Sequence, residues 1–320
     1  MKNLSASKAR TVLIWAALFS VYVIWGSTYL AIRFAIETLP PFLMASFRFF
    51  TAGLLMFVWR RLSGDALPTA RQWRETAVVG LFLLLGGNGL VVWAEQYVSS
   101  SIAALMVASV PLWIVLLQWL RSLRGKEKRP TLLTVVGVLI GFGGIFILVG
   151  PSQGSLSVAP LGAVALMAAT FLWAFGSLYS RTADLPSSPL MGTAAEMLWG
   201  GAGLLVAGTL NGEWARLDLA AASTRSLLGL GFLIVFGSLI AFTAYTWLLR
   251  NVPTSLAATY AYVNPVVAIF LGAWLVSEPL TLRTFIAAAV ILGAVVLISV
   301  TQNSARKEAS RLAAEGAPAD

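Results

Sequence analysis

The chain carries the stretch VSSSIAALMVASVPLW at residues 98–113 and, 154 positions later, the related stretch VPTSLAATYAYVNPVV at residues 252–267. Both are apolar enough to belong to membrane-spanning helices. Five residues are identical at this single offset: Val98 and Val252, Ser101 and Ser255, Ala103 and Ala257, Ala104 and Ala258, and Pro111 and Pro265. This ordered series indicates an internal repeat.

The repeat extends through both halves of the chain, at offsets between 148 and 154 residues. The further matches are Trp25 with Trp173, Leu30 with Leu178, Arg33 with Arg181, Pro41 with Pro189, Gly53 with Gly201, Trp93 with Trp247, Thr131 with Thr281, Leu132 with Leu282, and Gly143 with Gly293. We therefore predict one repeat in residues 1–150, a second in residues 151–301, and a polar cytoplasmic tail in residues 302–320.

The composition excludes an ordinary soluble protein. Of 320 residues, 58% are hydrophobic and 11% are charged, and the mean hydropathy is +0.84, whereas soluble domains average about 25% charged residues. The sequence contains neither histidine nor cysteine, which excludes disulfides, thiol nucleophiles, histidine bases and the usual zinc ligands. We expect no metal, no cofactor and no enzymatic activity.

Apolar runs long enough to cross a bilayer as helices fill most of the sequence. There are ten: 12–35, 42–59, 76–97, 101–120, 131–149, 160–180, 188–210, 226–249, 254–276 and 282–300. Because each half holds an odd number of spans, the second half must be inverted relative to the first. The predicted fold is an all-α integral membrane protein whose ten transmembrane helices form two inverted five-helix repeats, an architecture typical of secondary transporters.

The positions of the charges predict orientation. Seventeen of the 22 basic residues fall in one set of inter-helix segments, and only Arg216, Arg225 and Arg283 fall in the other. This bias predicts that both termini are cytoplasmic. It also explains the net charge of +9 without a nucleic-acid partner, because the basic residues form no binding face.

Three stretches carry a resemblance to a known family: WGSTYLAIRFAIETLPPFLMASFRF at 25–49, the stretch at 98–113, and VPTSLAATYAYVNPVVAIFLGAWLVSEPLT at 252–281. Together they resemble the EamA branch of the drug/metabolite transporter superfamily, over nearly the whole chain. The resemblance implies ten helices in two inverted five-helix repeats. It also implies export of amino acids or related small metabolites across a bacterial inner membrane.

Polar and aromatic residues at predicted membrane depth are candidates for the substrate site. Asn88 lies in a GGNG sequence, where it could face a ligand or join two helices by a hydrogen bond. On the ninth span, Tyr260 and Asn264 share a face. The remaining candidates are Trp25, Met106, Trp113, Trp173 and Tyr245, although many tryptophans only anchor helices at the bilayer surface.

Prolines and charges within the spans are candidates for coupling or gating. Pro111 and Pro265 each leave a carbonyl without its amide donor, which either lines a cavity or marks a static kink. Arg48 and Glu196 are repeat partners about 10 Å below opposite surfaces. Glu196 could carry a proton, or make a structural hydrogen bond. Glu95 could take part in gating, or be a solvated charge at the entrance.

The sequence thus favours a secondary transporter that exports small metabolites, with amino acids as the leading substrates, by alternating access. The expected partners are a small-molecule substrate and the lipid bilayer, with proton coupling left open. A proton-coupled exporter of hydrophobic cations or drugs is the main alternative. An intramembrane enzyme and a non-transporting scaffold are weaker ones.

Overall fold

A computed structural model describes residues 2–123, 125, 130–150, 159–252, 254–257 and 259–315. Within these ranges the regular elements are helices, nine of them long and apolar enough to cross a membrane, with a shorter apolar tenth at Tyr260–Val276. The uninterrupted helices are α1 (Lys2–Ala35), α2 (Pro41–Leu62), α5 (Leu132–Val149), α6 (Pro160–Ser180), α7 (Pro189–Leu210) and α10 (Leu282–Glu315). The predicted all-α membrane fold is confirmed.

The other four helices are built from segments. They are α3 (Ala70–Gly80, Leu81–Gly89 and Leu90–Ala94), α4 (Ser100–Val107 and Val110–Ser122), α8 (Thr224–Phe232, Leu233–Ile240 and Ala241–Asn251) and α9 (Thr254–Ala257 and Tyr260–Val276). The middle segments of α3 and α8 are π-helical and occupy equivalent places in the two repeats. Wide π-helical turns are rare and frequently occur at functional sites.

Local sequence explains where the helices begin. Pro41, Pro160 and Pro189 occupy first-turn positions, where the missing amide breaks no hydrogen bond. Thr131 and Ser223 cap α5 and α8, because their hydroxyl oxygens accept hydrogen bonds from amides of the first turn, at 3.3 and 3.1 Å.

Helices at equivalent places in the two repeats pack against each other, α2 against α7 and α5 against α10. Glycines allow this close approach: a Cβ added to Gly53 would lie 2.9 Å from the Cβ of Met197. A Cβ added to Gly137 would lie 2.8 Å from Ile298 on α10, and one added to Gly141 would lie 2.6 Å from Leu112 on α4 and 3.3 Å from Ala294 on α10. These small residues therefore join helices within one chain.

The first helix of each half packs against the other half. Helix α1 contacts α8 and α9, and α6 contacts α3 and α4. This exchange brings six helices from both repeats together: α1, α3, α4, α6, α8 and α9. We use "outer end" for the end of the bundle that holds the loops 36–40, 95–99, 211–223 and 277–281, which the charge bias predicts to face outward.

Two helices extend beyond the apolar runs. Helix α1 begins at Lys2 rather than near residue 12, and α10 continues to Glu315 through most of the predicted polar tail. Alanine, lysine, arginine and glutamate are strong helix formers, so the helix propagates past the apolar run. Residues 316–320 of the tail lie outside the described residues, as do four of the basic residues that are predicted to be cytoplasmic, Arg124, Lys126, Lys128 and Arg129.

Candidate substrate site

An aromatic cluster joins α1, α8 and α9 near the middle of the bundle. The Trp25 ring lies 5.1 Å from Phe242, 5.1 Å from Tyr245 and 5.0 Å from Tyr260, between ring centroids. The Trp25 indole nitrogen donates a hydrogen bond of 3.1 Å to the carbonyl of Gly237, in the π-helical segment of α8. Three of the predicted substrate residues, Trp25, Tyr245 and Tyr260, therefore lie in one aromatic cluster with Phe242. We call these four residues the Trp25 cluster, and the surface of their rings the aromatic wall.

Asn264 lies one helical turn from Tyr260 and is buried. With its amide oriented to satisfy hydrogen bonding, its nitrogen donates to the carbonyls of Tyr260 and Tyr22, at 3.1 and 3.3 Å. The amide thereby ties α9 to α1, beside the aromatic wall.

The two repeat-related prolines differ in their surroundings. Pro265 lies inside the long segment of α9. Pro111 lies in the first turn of a new segment, because α4 is interrupted at Ala108 and Ser109. Pro111 and Pro265 are thus equivalent in the sequence alignment. Their backbones differ, because a helical segment begins just before Pro111 but runs through Pro265.

Three other predicted substrate residues lie away from the Trp25 cluster. Trp113 donates a hydrogen bond of 3.0 Å to the Thr170 hydroxyl, and its ring lies 5.0 Å from that of Phe142. Met106 is completely buried in the core. Trp173 packs on Gly87, where an added Cβ would lie 2.6 Å from its ring. Among the residues the structure describes, no ring contact joins Trp113 or Trp173 to the Trp25 cluster.

Asn88 follows Gly87 in the π-helical segment of α3, which ends at Gly89. Its Oδ1 atom is buried and has no hydrogen-bond partner in the described part of the chain. This oxygen therefore does not make the interhelical bond considered from the sequence.

Arg48 is 3% exposed and lies on α2. Its Nε donates a hydrogen bond of 3.0 Å to the Ser238 hydroxyl, and its guanidinium carbon lies 4.5 Å from the centre of the Phe49 ring. Its Nη1 has no described partner. Arg48 thus interacts with α8 rather than with Glu196, its repeat partner.

Glu95 follows the last residue of α3, at the outer end, and is 2% exposed. The structure therefore does not show it as a solvated entrance charge. Burial raises the pKa of its carboxyl well above the ordinary value, the Glu278 carboxylate raises it further, and Arg33 and Arg48 lower it. Neither carboxylate oxygen has a described hydrogen-bond partner.

Glu196 is half-buried on α7, where that helix packs closely against Gly80 of α3. Its carboxylate makes no hydrogen bond or ion pair with a described residue. The structural hydrogen bond considered from the sequence is therefore not observed among the described residues.

Two carboxylates that sequence reasoning missed cap helices at the outer end. Glu278 accepts hydrogen bonds from the amides and hydroxyls of Ser100 and Ser101, at the start of α4. Glu213 is fully buried and accepts a 2.9 Å hydrogen bond from the Leu43 amide, at the start of α2. Their positions are the sequence signal that could have identified them. Both are acidic residues in loops that otherwise carry few charges, at the end of the bundle where helices begin with serine or proline.

A family model for EamA-like transporters matches residues 11–150 and 160–300, which correspond to the two halves of the structure. The chain belongs to the EamA-like transporter family. It is therefore a membrane transporter, and the family's description points away from an enzyme. The EamA-like model covers each half separately, in agreement with the internal repeat.

Curated relatives of this EamA-like chain cover nearly its full length. An uncharacterised inner membrane transporter of Escherichia coli, YedA, is 43% identical over 288 residues, covering 90% of each chain. An uncharacterised transporter of Archaeoglobus fulgidus is 26% identical and covers 87% of this chain and 95% of its own. A solved crystal structure matches with a TM-score of 0.62 at 22% identity, over 91% of this chain and 98% of that one, which supports the fold.

Proposed function

We propose that this transporter exports small metabolites, with amino acids as its substrates, across a bacterial inner membrane by alternating access. The observation that carries the proposal is the exchange of α1 and α6 between the halves, which brings six helices together and places the Trp25 cluster between α1 of the first half and α8 and α9 of the second. Inverted-repeat transporters place their substrate sites near the midplane between such halves. The inner-membrane location follows the YedA relative.

The site has the composition of a small-molecule site. Its wall is aromatic, through Trp25, Tyr245 and Tyr260, and the Asn264 amide lies beside it; the proposal adds the unpaired oxygen of Asn88 as a second polar group. Such a surface binds an apolar body and orients a polar end. In this proposal Trp173, which packs on Gly87 next to Asn88, lies at the edge of the site. Met106 and Trp113 hold α4 in place beside the site.

Alternating access requires that two helical bundles rock about the site. The interrupted α4 and the π-helical segments of α3 and α8 supply irregular backbone at the places where the halves meet. In this proposal Pro111 and Pro265 fix the bends of α4 and α9 that accompany the movement.

Reconstitution tests this function. Purified protein in liposomes should exchange radiolabelled amino acids down a gradient, with saturable rates that empty liposomes lack. If no amino acid in a complete set of the standard 20 exchanges faster than in empty liposomes, amino-acid export is wrong.

A proton-coupled exporter of hydrophobic cations remains the second candidate. It is favoured by one observation, the half-buried Glu196 carboxylate within α7, which has no described partner. A carboxylate that is alternately protonated and occupied by a cation is a common means of coupling in membrane transport.

A further inference from the structure

The buried side-chain atoms without a hydrogen-bond partner in the described ranges belong to only three residues. They are Arg48 Nη1, Asn88 Oδ1, and both carboxylate oxygens of Glu95. Native proteins rarely leave buried polar groups unpaired, because each one costs about 1–3 kcal/mol, and more when it is charged. All three residues lie at the ends of or within the adjacent helices α2 and α3, and Arg48 and Glu95 are close enough to interact electrostatically.

Two of these residues carry opposite charges that do not meet. Arg48 and Glu95 lie within electrostatic range of each other. No ion pair within 4.0 Å or hydrogen bond joins them. Glu278, the other nearby acid, is already satisfied by the start of α4. Arg33 pairs with Glu278 at 3.9 Å and is 41% exposed. Arg48 Nη1 and the Glu95 carboxyl are therefore the groups of opposite charge type that remain unpaired among the described residues.

The Arg48 guanidinium also adjoins the aromatic wall. Its Nη2 would lie 3.3 Å from a Cβ added to Gly237, the residue whose carbonyl accepts the Trp25 hydrogen bond. The next residue, Ser238, accepts from Arg48 Nε. The same turn of α8 thus contacts both Arg48 and Trp25, which places the guanidinium next to the aromatic cluster.

We infer that Arg48 and Glu95 bind the head group of a zwitterionic α-amino acid, with its carboxylate on Arg48 and its ammonium on Glu95. The inference rests on the proposed function for the place of the site. A zwitterion supplies a carboxylate to the unpaired Arg48 Nη1 and, at the same time, an ammonium that stabilises the ionised form of Glu95. A simple cation leaves Arg48 unpaired, and a simple anion leaves Glu95 unpaired, and an uncompensated buried charge is strongly destabilising. The side chain of the ligand then extends towards the Trp25 cluster.

The experiment compares three forms of one amino acid as inhibitors of labelled amino-acid exchange in proteoliposomes. L-leucine carries both charges, L-leucinamide lacks the carboxylate, and N-acetyl-L-leucine lacks the ammonium. Wild-type protein should prefer L-leucine over each of the others by about tenfold or more, because a hydrogen bond to a charged group is lost in each.

Two variants separate the two contacts. Arg48→Gln should abolish the preference for L-leucine over L-leucinamide while keeping the preference over N-acetyl-L-leucine. Glu95→Gln should do the reverse. Arg48→Lys should retain part of the preference. A purely structural role would lower all three affinities together. Arg225→Gln and Glu37→Gln are matched controls, since these residues form an exposed pair at the outer end, 3.3 Å apart, and both preferences should stay.

A thermal-stability assay with the same three compounds distinguishes this inference from the proposed function. Exchange with unchanged preferences in both variants would overturn the inference and leave amino-acid export standing. Stabilisation by L-leucine that requires Arg48 and Glu95, without any exchange, would support the site and overturn the export function. Neither exchange nor stabilisation would overturn both.

Discussion

Gly53 and Gly201, which lie 148 residues apart in the sequence, occupy equivalent positions in one helix–helix contact. A Cβ added to Gly53 would lie 2.9 Å from the Cβ of Met197, and one added to Gly201 would lie 2.9 Å from the Phe50 amide nitrogen. Met197 and Phe50 lie on the opposite helices, so the contact is reciprocal. The pseudo-twofold axis of the inverted repeat therefore passes between α2 and α7.

Gly201→Ala should destabilise the protein, because a methyl group at 2.9 Å from backbone atoms forces α2 and α7 apart. Overpacking of this kind costs about 1–3 kcal/mol. Gly143 and Gly293 are a second repeat pair, and a Cβ at either would meet nothing within 4 Å. Gly143→Ala should therefore be neutral or stabilising. Thermal unfolding in detergent measures both, and equal effects would contradict the packing described for α2 and α7.

Glu278→Gln should destabilise the outer end, because an amide offers one oxygen where the carboxylate accepts from both Ser100 and Ser101. The expected loss is about 1.5–3 kcal/mol, the value of hydrogen bonds to a charged group. Glu37→Gln, at a half-exposed side chain paired with Arg225, should change stability by less than about 0.5 kcal/mol. Unfolding curves that coincide for the two variants would show that the Glu278 cap adds little.

Tyr245→Ala and Asn88→Ala should each slow amino-acid exchange by about tenfold, since each removes a group from the proposed site. Trp214→Ala serves as the control, because Trp214 is 53% exposed at the outer end and outside the cluster. Initial rates at matched protein density in the liposomes give the comparison. Wild-type rates in both site variants would place the substrate elsewhere.

Glu196→Gln preserves size and removes the ionisable group. If the transporter couples hydrophobic cation export to protons, cells that express this variant should lose resistance to cationic dyes, and a pH gradient should no longer drive dye exchange. Glu37→Gln should behave as wild type. A normal resistance profile in Glu196→Gln would rule out this form of coupling.

The native chain contains no cysteine, so single introduced cysteines report orientation without background. Leu219→Cys, in the 211–223 loop, should react with a membrane-impermeant maleimide on intact cells, because Leu219 is 73% exposed. Ser63→Cys, after α2, should react only after lysis. The opposite labelling pattern would reverse the predicted topology.

The sequence predicted those parts of the fold that depend on local composition or on the repeat. Apolar runs locate spans because backbone groups in lipid must be satisfied within a helix. The spacing of Tyr260 from Asn264 placed both on one face, and the structure brings Tyr260 against Trp25. The alignment paired Gly53 with Gly201, and in the structure both glycines lie in the contact between α2 and α7.

The parts that escaped prediction depend on contacts between distant segments. Glu278 lies 178 residues from Ser100 in the sequence, and nothing local marks a loop carboxylate as the cap of a helix in the other half. The π-helical segments escaped for a related reason. Their apolar residues fit an α-helix equally well, and only packing against the helices around α3 and α8 selects the wider turn. The burial of Glu95 likewise depends on neighbours from other helices.

The exchange of α1 and α6 between the halves has a consequence for biosynthesis. Helix α1 leaves the ribosome well before its partners α8 and α9, because helices α2 to α7 lie between them in the chain. Neither half is thus a closed folding unit, and α3 and α4 lack their partner until α6 has entered the membrane. A nascent chain truncated after the fifth helix would leave every one of its helices without its partner from the second half, so we expect it to be degraded rather than to act as a half-size transporter.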